Sequence, residues 1–211
     1  MTGAATAFLA AASLAAVTDW FAVGAGKRRL EYAAKPAVMV ALIGVAVFLN
    51  PADVTERSLF VLALTFGLLS DVFLMLPQDL FLAGLGAALV EHLAYIAGFR
   101  TRDLHVGLLV VAAAVALLSA AAIYPPIHRA LRREQPRLVV PVIAYLAVFV
   151  VMVASAGGTG SLVALAGALL FLYSDAILAW NRFVRPLPYG RLVNIVPYHL
   201  GEALLVLSLL T

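Results

Sequence analysis

The chain has 211 residues, of which 64% are hydrophobic and only 12% are charged, whereas about a quarter of the residues of soluble domains are charged. The net charge of +3 does not indicate nucleic-acid binding, because the basic residues lie in short segments between apolar runs, as topology signals do. The lack of cysteine excludes disulfides, thiolate metal sites and cysteine nucleophiles. The composition therefore predicts a single integral membrane domain over residues 1–211.

Eight apolar runs are long enough to cross a bilayer, which takes about 20 helical residues. The spans are predicted at 4–23, 34–49, 57–76, 80–99, 106–124, 137–156, 161–181 and 190–210. The first run has no basic residue ahead of it, which favours a span over a cleaved signal peptide. Among the connections, we expect only residues 125–136 to have room for an amphipathic surface stretch. The predicted fold class is an all-α membrane bundle of eight transmembrane helices.

The basic residues divide unequally between the two faces of such a bundle. Eleven of the fourteen Lys and Arg residues belong to the face with loops one-two, five-six and seven-eight, and the other face holds only Arg57, Arg100 and Arg102. Because cytoplasmic loops carry the excess of positive charge, both termini are predicted to be non-cytoplasmic. We expect a multi-pass protein of a bacterial-type cell membrane.

The two halves of the sequence share several features at nearly equal spacing. A Leu-x-Ser-Asp-x-x-Leu frame surrounds both Asp71 and Asp175, and Pro36 and Pro141 lie near the starts of spans two and six. Four spans in each half would make any duplication parallel, with an axis along the membrane normal. Two parallel four-helix halves are therefore a hypothesis, although a Leu-rich frame also recurs by chance in an apolar chain.

Four carboxyl side chains lie deep within the predicted spans. An Asp at the centre of a spanning helix costs about 2.5–3.5 kcal/mol, so a lipid-facing placement of all four would cost about 10–14 kcal/mol. We therefore expect them to converge on one buried polar chamber. The alternative for each Asp is a packing or capping role, satisfied by its neighbouring Ser or by a loop Arg. The residues concerned are Ser70-Asp71, Ser174-Asp175, Glu91 and Glu202.

Further polar side chains share helix faces in spans four and eight, where they could orient a substrate or a water molecule. Small residues in span four would let a neighbouring helix approach closely. The alternative is that these side chains only pack in the interior and form bonds between helices. The candidates are His92, Tyr95, Asn194, Tyr198, His199 and Glu202.

Two basic residues are candidate contacts for a phosphate group. Arg182 lies about two helical turns beyond Asp175 on the same face of span seven, and Arg binds phosphate in a bidentate manner. Lys35 opens span two. The alternative for both residues is that they only contribute to the excess positive charge of cytoplasmic loops.

Several other functions are disfavoured by the sequence. There is no His-Glu-x-x-His or His-x-x-x-His motif, so no metal is predicted, although a zinc-dependent amide or ester hydrolase stays open as a third hypothesis. Residues 157–160 (Gly-Gly-Thr-Gly) lack the Lys of a phosphate loop and indicate a turn. A serine hydrolase would need a Gly-x-Ser-x-Gly elbow, which is missing.

Taken in order, these motifs resemble the lysoplasmalogenase (YhhN-like) membrane family, over nearly the whole chain and with the right number of spans. Two positions depart from it: Ser70 stands where relatives often have Gly, and Glu202 stands where Gln is expected, which adds a titratable group. The matching motifs are Lys35-Pro36, Ser70-Asp71-Val72-Phe73-Leu74, His92-x-x-Tyr95, Ser174-Asp175 with Arg182-Phe183, and Tyr198.

The resemblance implies hydrolysis of the vinyl ether bond of a lysoplasmalogen, without a metal or organic cofactor. This chemistry needs one protonated and one ionised carboxyl, as glycosidases do, and Asp71 and Asp175 are the predicted pair. The sequence does not say which is acid and which is base, and it does not indicate the head group or the oligomeric state. The expected partners are a lysophospholipid substrate and membrane lipids, not nucleic acid. The rival hypothesis is a proton-coupled transporter or lipid-handling protein, because intramembrane carboxylates also form proton relays.

Overall fold

The computed structural model describes residues 1–51 and 53–211 as a bundle of eight α-helices, and these residues contain no β-strand. All eight helices are long and apolar enough to cross a membrane, which confirms the predicted fold class of an integral multi-pass protein. Short 3-10 turns precede α6 (Pro136–Leu138) and follow α8 (Ser208–Leu210). The helices are α1 (Gly3–Gly24), α2 (Arg28–Phe48), α3 (Val54–Met75), α4 (Phe81–Phe99), α5 (Val106–Glu134), α6 (Val139–Gly158), α7 (Leu162–Phe183) and α8 (Gly190–Leu207).

Two helix boundaries differ from the prediction by six residues or more. α2 starts at Arg28 and contains Pro36, although the sequence predicted a start near residue 34. α5 continues through two prolines to Glu134, so most of residues 125–136 belong to this helix and not to a connection. The stretch is amphipathic, in agreement with the prediction, because Ile127 and Leu131 are buried while Arg132 and Arg133 are exposed. A proline inside a helix costs about 3 kcal/mol, and packing offsets this cost here because Ile127 and Leu131 are buried against Phe81 and its neighbours.

Helices that follow each other in the chain form antiparallel pairs. α1 packs against α2, α3 against α4, α5 against α6, and α7 against α8. The pairs are joined mainly by α2 with α3, α4 with α6, and α6 with α7, while α8 closes the bundle against α1 and α2. The contact of α4 with α6 has its counterpart in the contact of α8 with α2, which is compatible with two parallel halves. The duplication itself stays a prediction.

Glycines in α7 and α8 bring these two helices close together. A Cβ atom added at Gly167 would lie 2.9 Å from the carbonyl oxygen of Gly201, and one added at Gly201 would lie 2.9 Å from that of Gly167. Small residues at such a crossing let the two backbones come together. The α7–α8 pair is therefore fixed at this point, about two helical turns from Ser174 and Asp175 of α7.

Both chain ends lie on one face of the bundle. The Thr2 hydroxyl donates to the carbonyl of Phe48 at the end of α2. Arg102, after α4, donates to Glu56 at 2.8 Å and to the carbonyl oxygens of Ser208 and Thr211. The even number of spans thus returns the chain to the face from which it started. Which face is cytoplasmic stays a prediction.

Candidate active site

A polar cavity opens among α2, α3, α4, α6, α7 and α8, on the side of the bundle that holds the α1–α2, α3–α4 and α7–α8 connections. We call it the reaction cavity. It brings together three of the four predicted carboxyl groups, and the fourth, Glu202, lies behind Glu91. Its polar lining residues are Lys35, Ser70, Asp71, Glu91, Tyr145, Ser174, Asp175, Asn194 and Tyr198.

Asp71 forms a buried ion pair. The Lys35 ammonium lies 2.7 Å from Oδ1, and the Tyr198 hydroxyl donates to Oδ2 at 2.9 Å. The Lys35 ammonium also lies 5.2 Å from the centre of the Tyr198 ring. A buried carboxylate needs a paired charge and hydrogen bonds to offset its loss of hydration. Asp71 has both, so this arrangement holds an anion in a fixed position.

Asp175 lies in a different environment. The Tyr145 hydroxyl donates a short hydrogen bond to its Oδ2, and the same hydroxyl lies 2.8 Å from Nε2 of His92. No basic side chain in the described part of the chain is within ion-pairing distance of Asp175. The His92 ring is surrounded by Phe149 and Phe171. The two aspartates therefore differ in their partners, which are a cation for Asp71 and a tyrosine–histidine pair for Asp175.

Glu91 and Glu202 form a second carboxyl pair. They are close enough to interact with one another, and the Tyr95 hydroxyl donates to Oε2 of Glu202 at 2.6 Å. Two buried carboxylates repel each other, so such a pair is more stable when one of its members carries a proton. Gly67 of α3 leaves room for Glu91, because a Cβ atom there would meet the Glu91 carboxyl oxygen. Glu91 faces the reaction cavity, while Glu202 and Tyr95 support it from behind.

Ser174 and Asn194 bind each other across the α7–α8 interface. The Asn194 amide donates to the carbonyl oxygen and to the hydroxyl of Ser174, at 2.8 and 2.9 Å. In return, the Ser174 hydroxyl donates to the backbone oxygen of Asn194 at 3.0 Å. These bonds fix the position of Asp175 along the axis of α7 relative to α8. Ser70 is buried beside Asp71 on the cavity wall.

A second cavity lies between the reaction cavity and the face of the bundle; we call it the mouth. Lys35 and Asn194 line both cavities. Three arginines line the mouth. Arg182 is 2.7 Å from the exposed Asp79, Arg191 pairs with Glu31, and no ion pair is recorded for Arg28 among the described residues. The mouth thus gives the reaction cavity a positively charged entrance.

His199 is not part of either cavity. It accepts a hydrogen bond from the indole of Trp20 at 3.1 Å, and its other nitrogen lies 3.9 Å from the buried carboxyl of Asp19. The sequence predicted His199 as a residue that orients the substrate, with a hydrogen bond between helices as the alternative. His199 points about 100° away from Tyr198 around the helix, and its bond to Trp20 of α1 corresponds to the alternative. It belongs to a separate polar cluster between α1 and α8.

Tyr145, which connects His92 to Asp175, was only a weaker candidate in the sequence and is not among the residues predicted for the site. A tyrosine is common in membrane spans, so nothing in the sequence distinguishes it. Asp19 was also missed, although an acidic residue inside the first apolar run is a usable signal. No group of three or more His, Asp or Glu side chains suited to a metal ion occurs in the described residues.

Comparison with known proteins assigns the chain to a family. The sequence model of the YhhN family matches residues 30–209. The chain is 34% identical to lysoplasmalogenase TMEM86B of Homo sapiens over 152 residues, which is 70% of this chain and 62% of that protein. It is 35% identical to lysoplasmalogenase TMEM86B of Sus scrofa over 150 residues, which is 69% of this chain and 61% of that protein.

A second human relative, lysoplasmalogenase TMEM86A, is 32% identical over 154 residues, which is 69% of this chain and 62% of that protein. The chain thus spans less than two thirds of the length of these relatives. No solved structure matches it significantly. Because the family model extends from the start of α2 to the end of the chain's last helix, the chain belongs to the YhhN family.

Proposed function

We propose that this protein is a membrane hydrolase that cleaves the vinyl ether bond of lysoplasmalogens, releasing a fatty aldehyde and a glycerophospho-head group. The observation that carries the proposal is that Asp71 and Asp175 line one cavity but have unlike partners. The names of the human and porcine relatives support the choice of substrate. Residues 1–211 are proposed to act as one eight-span unit.

The reaction needs an acid that delivers a proton to carbon. Protonation of the vinyl carbon that is β to the ether oxygen gives an oxocarbenium ion. Asp175 is proposed as this acid, because no basic side chain among the described residues forms an ion pair with it. Tyr145 and His92 hold its carboxyl group in position.

The reaction also needs a negative charge near the oxocarbenium ion and a base for water. Asp71 is proposed for both, because the Lys35 ammonium lies 2.7 Å from its Oδ1 and a paired cation stabilises the ionised form of a buried carboxyl group. Water loses a proton to Asp71 and adds to the carbon bonded to the ether oxygen, which gives a hemiacetal. The hemiacetal then collapses to the aldehyde and the head-group alcohol: Asp175 takes the proton of the hemiacetal hydroxyl, and Asp71 gives its proton to the departing ether oxygen. Both carboxyl groups thereby return to their starting forms.

The remaining predicted residues have supporting roles in this proposal. Tyr198 orients Asp71, while Ser174 and Asn194 fix α7 against α8. Glu91, backed by Glu202 and Tyr95, is placed to position the attacking water. Ser70 contributes to the wall beside Asp71, and His199 has no role in the reaction.

The mouth is proposed to bind the head-group phosphate. Arg182 is a suitable ligand, because its partner Asp79 is 70% exposed, and an exposed ion pair exchanges at little cost. Arg28 is a second candidate on the same cavity wall. Lys35 is already bound to Asp71, so its proposed role changes from phosphate contact to counter-ion.

The test is aldehyde release by purified protein supplied with lysoplasmenyl-ethanolamine in a metal-free buffer with chelator. We expect wild-type protein to be active, and both Asp71→Asn and Asp175→Asn to lose activity while they keep the wild-type elution profile. Asp175→Asn should also keep the wild-type unfolding temperature, whereas Asp71→Asn should unfold at a lower temperature because Lys35 loses its buried partner. Asp79→Asn is the matched control, because this carboxyl is exposed and outside the reaction cavity. Wild-type rates in both cavity variants would refute the assignment.

The rival function is proton-coupled transport, which is favoured by the buried carboxyl pair of Glu91 and Glu202. A transporter would move lysolipid across proteoliposomes and leave the vinyl ether intact. The same lipids are therefore analysed for products after incubation with proteoliposomes. Intact lipid that has crossed the bilayer would favour the rival.

A further inference from the structure

We propose that the hydrocarbon chain of the substrate binds in an apolar groove between α5, α6 and α7, with Asp175 at its inner end. We call this the chain groove. The inference rests on the proposed function, and it assigns a binding site for an alkenyl chain of a membrane lipid. It also fixes the direction in which the substrate lies.

The lining of the chain groove is suited to an alkyl chain. Each of the three helices contributes apolar side chains, and Ala120 and Ala176 provide space. Of its polar groups, the Ser119 hydroxyl is bonded to Tyr173 at 3.2 Å and the Tyr124 hydroxyl to His128 at 2.9 Å. These hydroxyls therefore need no partner from a ligand. The main apolar lining residues are Ile123, Ile127, Leu146, Phe149 and Leu172.

The chain groove is continuous with the reaction cavity. Val142, Tyr145, Asp175 and Ala179 line both. Asp175 and its partner Tyr145 therefore stand at the junction, with the polar cavity on one side and apolar side chains on the other. An alkyl chain in the groove would bring its first carbons against Asp175.

The mouth continues the reaction cavity through a different set of residues. Lys35 and Asn194 line the mouth and the reaction cavity, and neither lines the chain groove. The three cavities thus run from arginines, through two carboxyl groups, to apolar side chains. A lysoplasmalogen has the same order of phosphate, glycerol ether and hydrocarbon chain.

This order gives an independent reason for the roles of the two aspartates. The β-carbon of a vinyl ether belongs to the hydrocarbon chain, so its proton must come from the chain side, where Asp175 lies. The ether oxygen belongs to the head-group side. There the Asp71–Lys35 pair, which adjoins the mouth, faces the developing positive charge and the attacking water.

The chain groove is reached from the bilayer. Ala120, Ile123 and Ala176 are only partly buried, and the neighbouring Ala121 and Ala122 of α5 are exposed. A lipid chain can therefore enter between α5 and α7 without leaving the hydrocarbon layer. The head group reaches the mouth at the membrane surface.

The first test compares two neighbouring alanines of α5. Ala120→Phe fills the chain groove, whereas Ala121→Phe points to lipid and is the matched control. For Ala120→Phe we expect kcat/KM to fall about tenfold or more with a long-chain lysoplasmalogen and to stay at the wild-type value with a short-chain analogue. Ala121→Phe should behave as wild type with both. Equal losses on both chain lengths, or equal behaviour of the two variants, would overturn the proposal.

The second test does not depend on activity. Wild-type protein is irradiated with a lysophospholipid that carries a diazirine near the end of its chain, and labelled peptides are identified by mass spectrometry. Label in α5, α6 and α7 that is lost in Ala120→Phe supports the chain groove, and label confined to other helices overturns it. If wild-type protein labels in the groove but cleaves no vinyl ether, the proposed hydrolysis fails and the chain site stands.

Discussion

Lys35 sets the charge balance of the reaction cavity. Its side chain is 12% exposed and that of Asp71 is 5% exposed, so the pair is shielded from water on nearly all sides. In such pairs, removal of one partner costs more than removal of both, because the remaining charge stays buried without compensation.

We therefore predict that Lys35→Met is destabilised by about 3–5 kcal/mol and is inactive. The double variant Lys35→Met with Asp71→Asn should regain most of the stability but none of the activity. Thermal unfolding in detergent and aldehyde release measure the two effects separately. A single variant that unfolds at the wild-type temperature would show that Lys35 and Asp71 are not coupled.

Tyr145 acts through one hydroxyl group. Tyr145→Phe keeps the ring that packs against His92 and removes the hydrogen bond to Asp175. Asp175 becomes charged as it gives its proton to carbon, and a hydrogen bond to a charged group contributes about 1.5–3 kcal/mol. We therefore predict a fall in kcat of roughly ten- to a hundredfold with little change in KM. Tyr189→Phe is the control, because Tyr189 is 82% exposed. A rise in KM at unchanged kcat would instead assign Tyr145 to substrate binding.

At the level of helices, hydropathy predicted all eight spans, because an apolar run of this length has few other structures open to it in a membrane. The ends of α2 and α5 were not predictable from the same signal. α5 continues past Pro125 because Ile127 and Leu131 pack against residues of α4, α6 and α7 that are distant in sequence. Local propensity carries no information on such contacts.

The glycine crossing of α7 and α8 gives a prediction at the level of these two helices. A methyl group at Gly201 would lie 2.9 Å from the Gly167 carbonyl oxygen and 3.0 Å from the Phe171 nitrogen, so the helices must separate. We expect Gly201→Ala to cost about 1–3 kcal/mol and to lower kcat, because α7 carries Asp175. Gly86→Ala is the control, since no atom lies within 4 Å of the added methyl group. Equal unfolding temperatures of the two variants would contradict the close approach.

For the whole molecule, the sequence predicted which residues are unusual but not how they pair. Asp71 and Asp175 were identified because charges inside a membrane are rare and costly. The partners Lys35 and Tyr145 depend on how α2 and α6 rotate toward the cavity, which a single sequence does not record. Within α8, the turn of the helix directs His199 away from Tyr198, its neighbour in the chain, and places it against Trp20.

The orientation of the molecule decides which leaflet supplies the substrate. The mouth lies on the face with eleven of the fourteen basic residues, so the positive-inside rule predicts that head groups enter from the cytoplasmic leaflet. Because the natural chain has no cysteine, single substitutions at two exposed sites, Asp103→Cys and Glu134→Cys, report one face each. We expect a membrane-impermeant maleimide to label Asp103→Cys in intact cells and Glu134→Cys only after permeabilisation, with the wild-type chain as the unlabelled control. The opposite pattern would place the arginines of the mouth on the outer surface, and the substrate would then come from the outer leaflet.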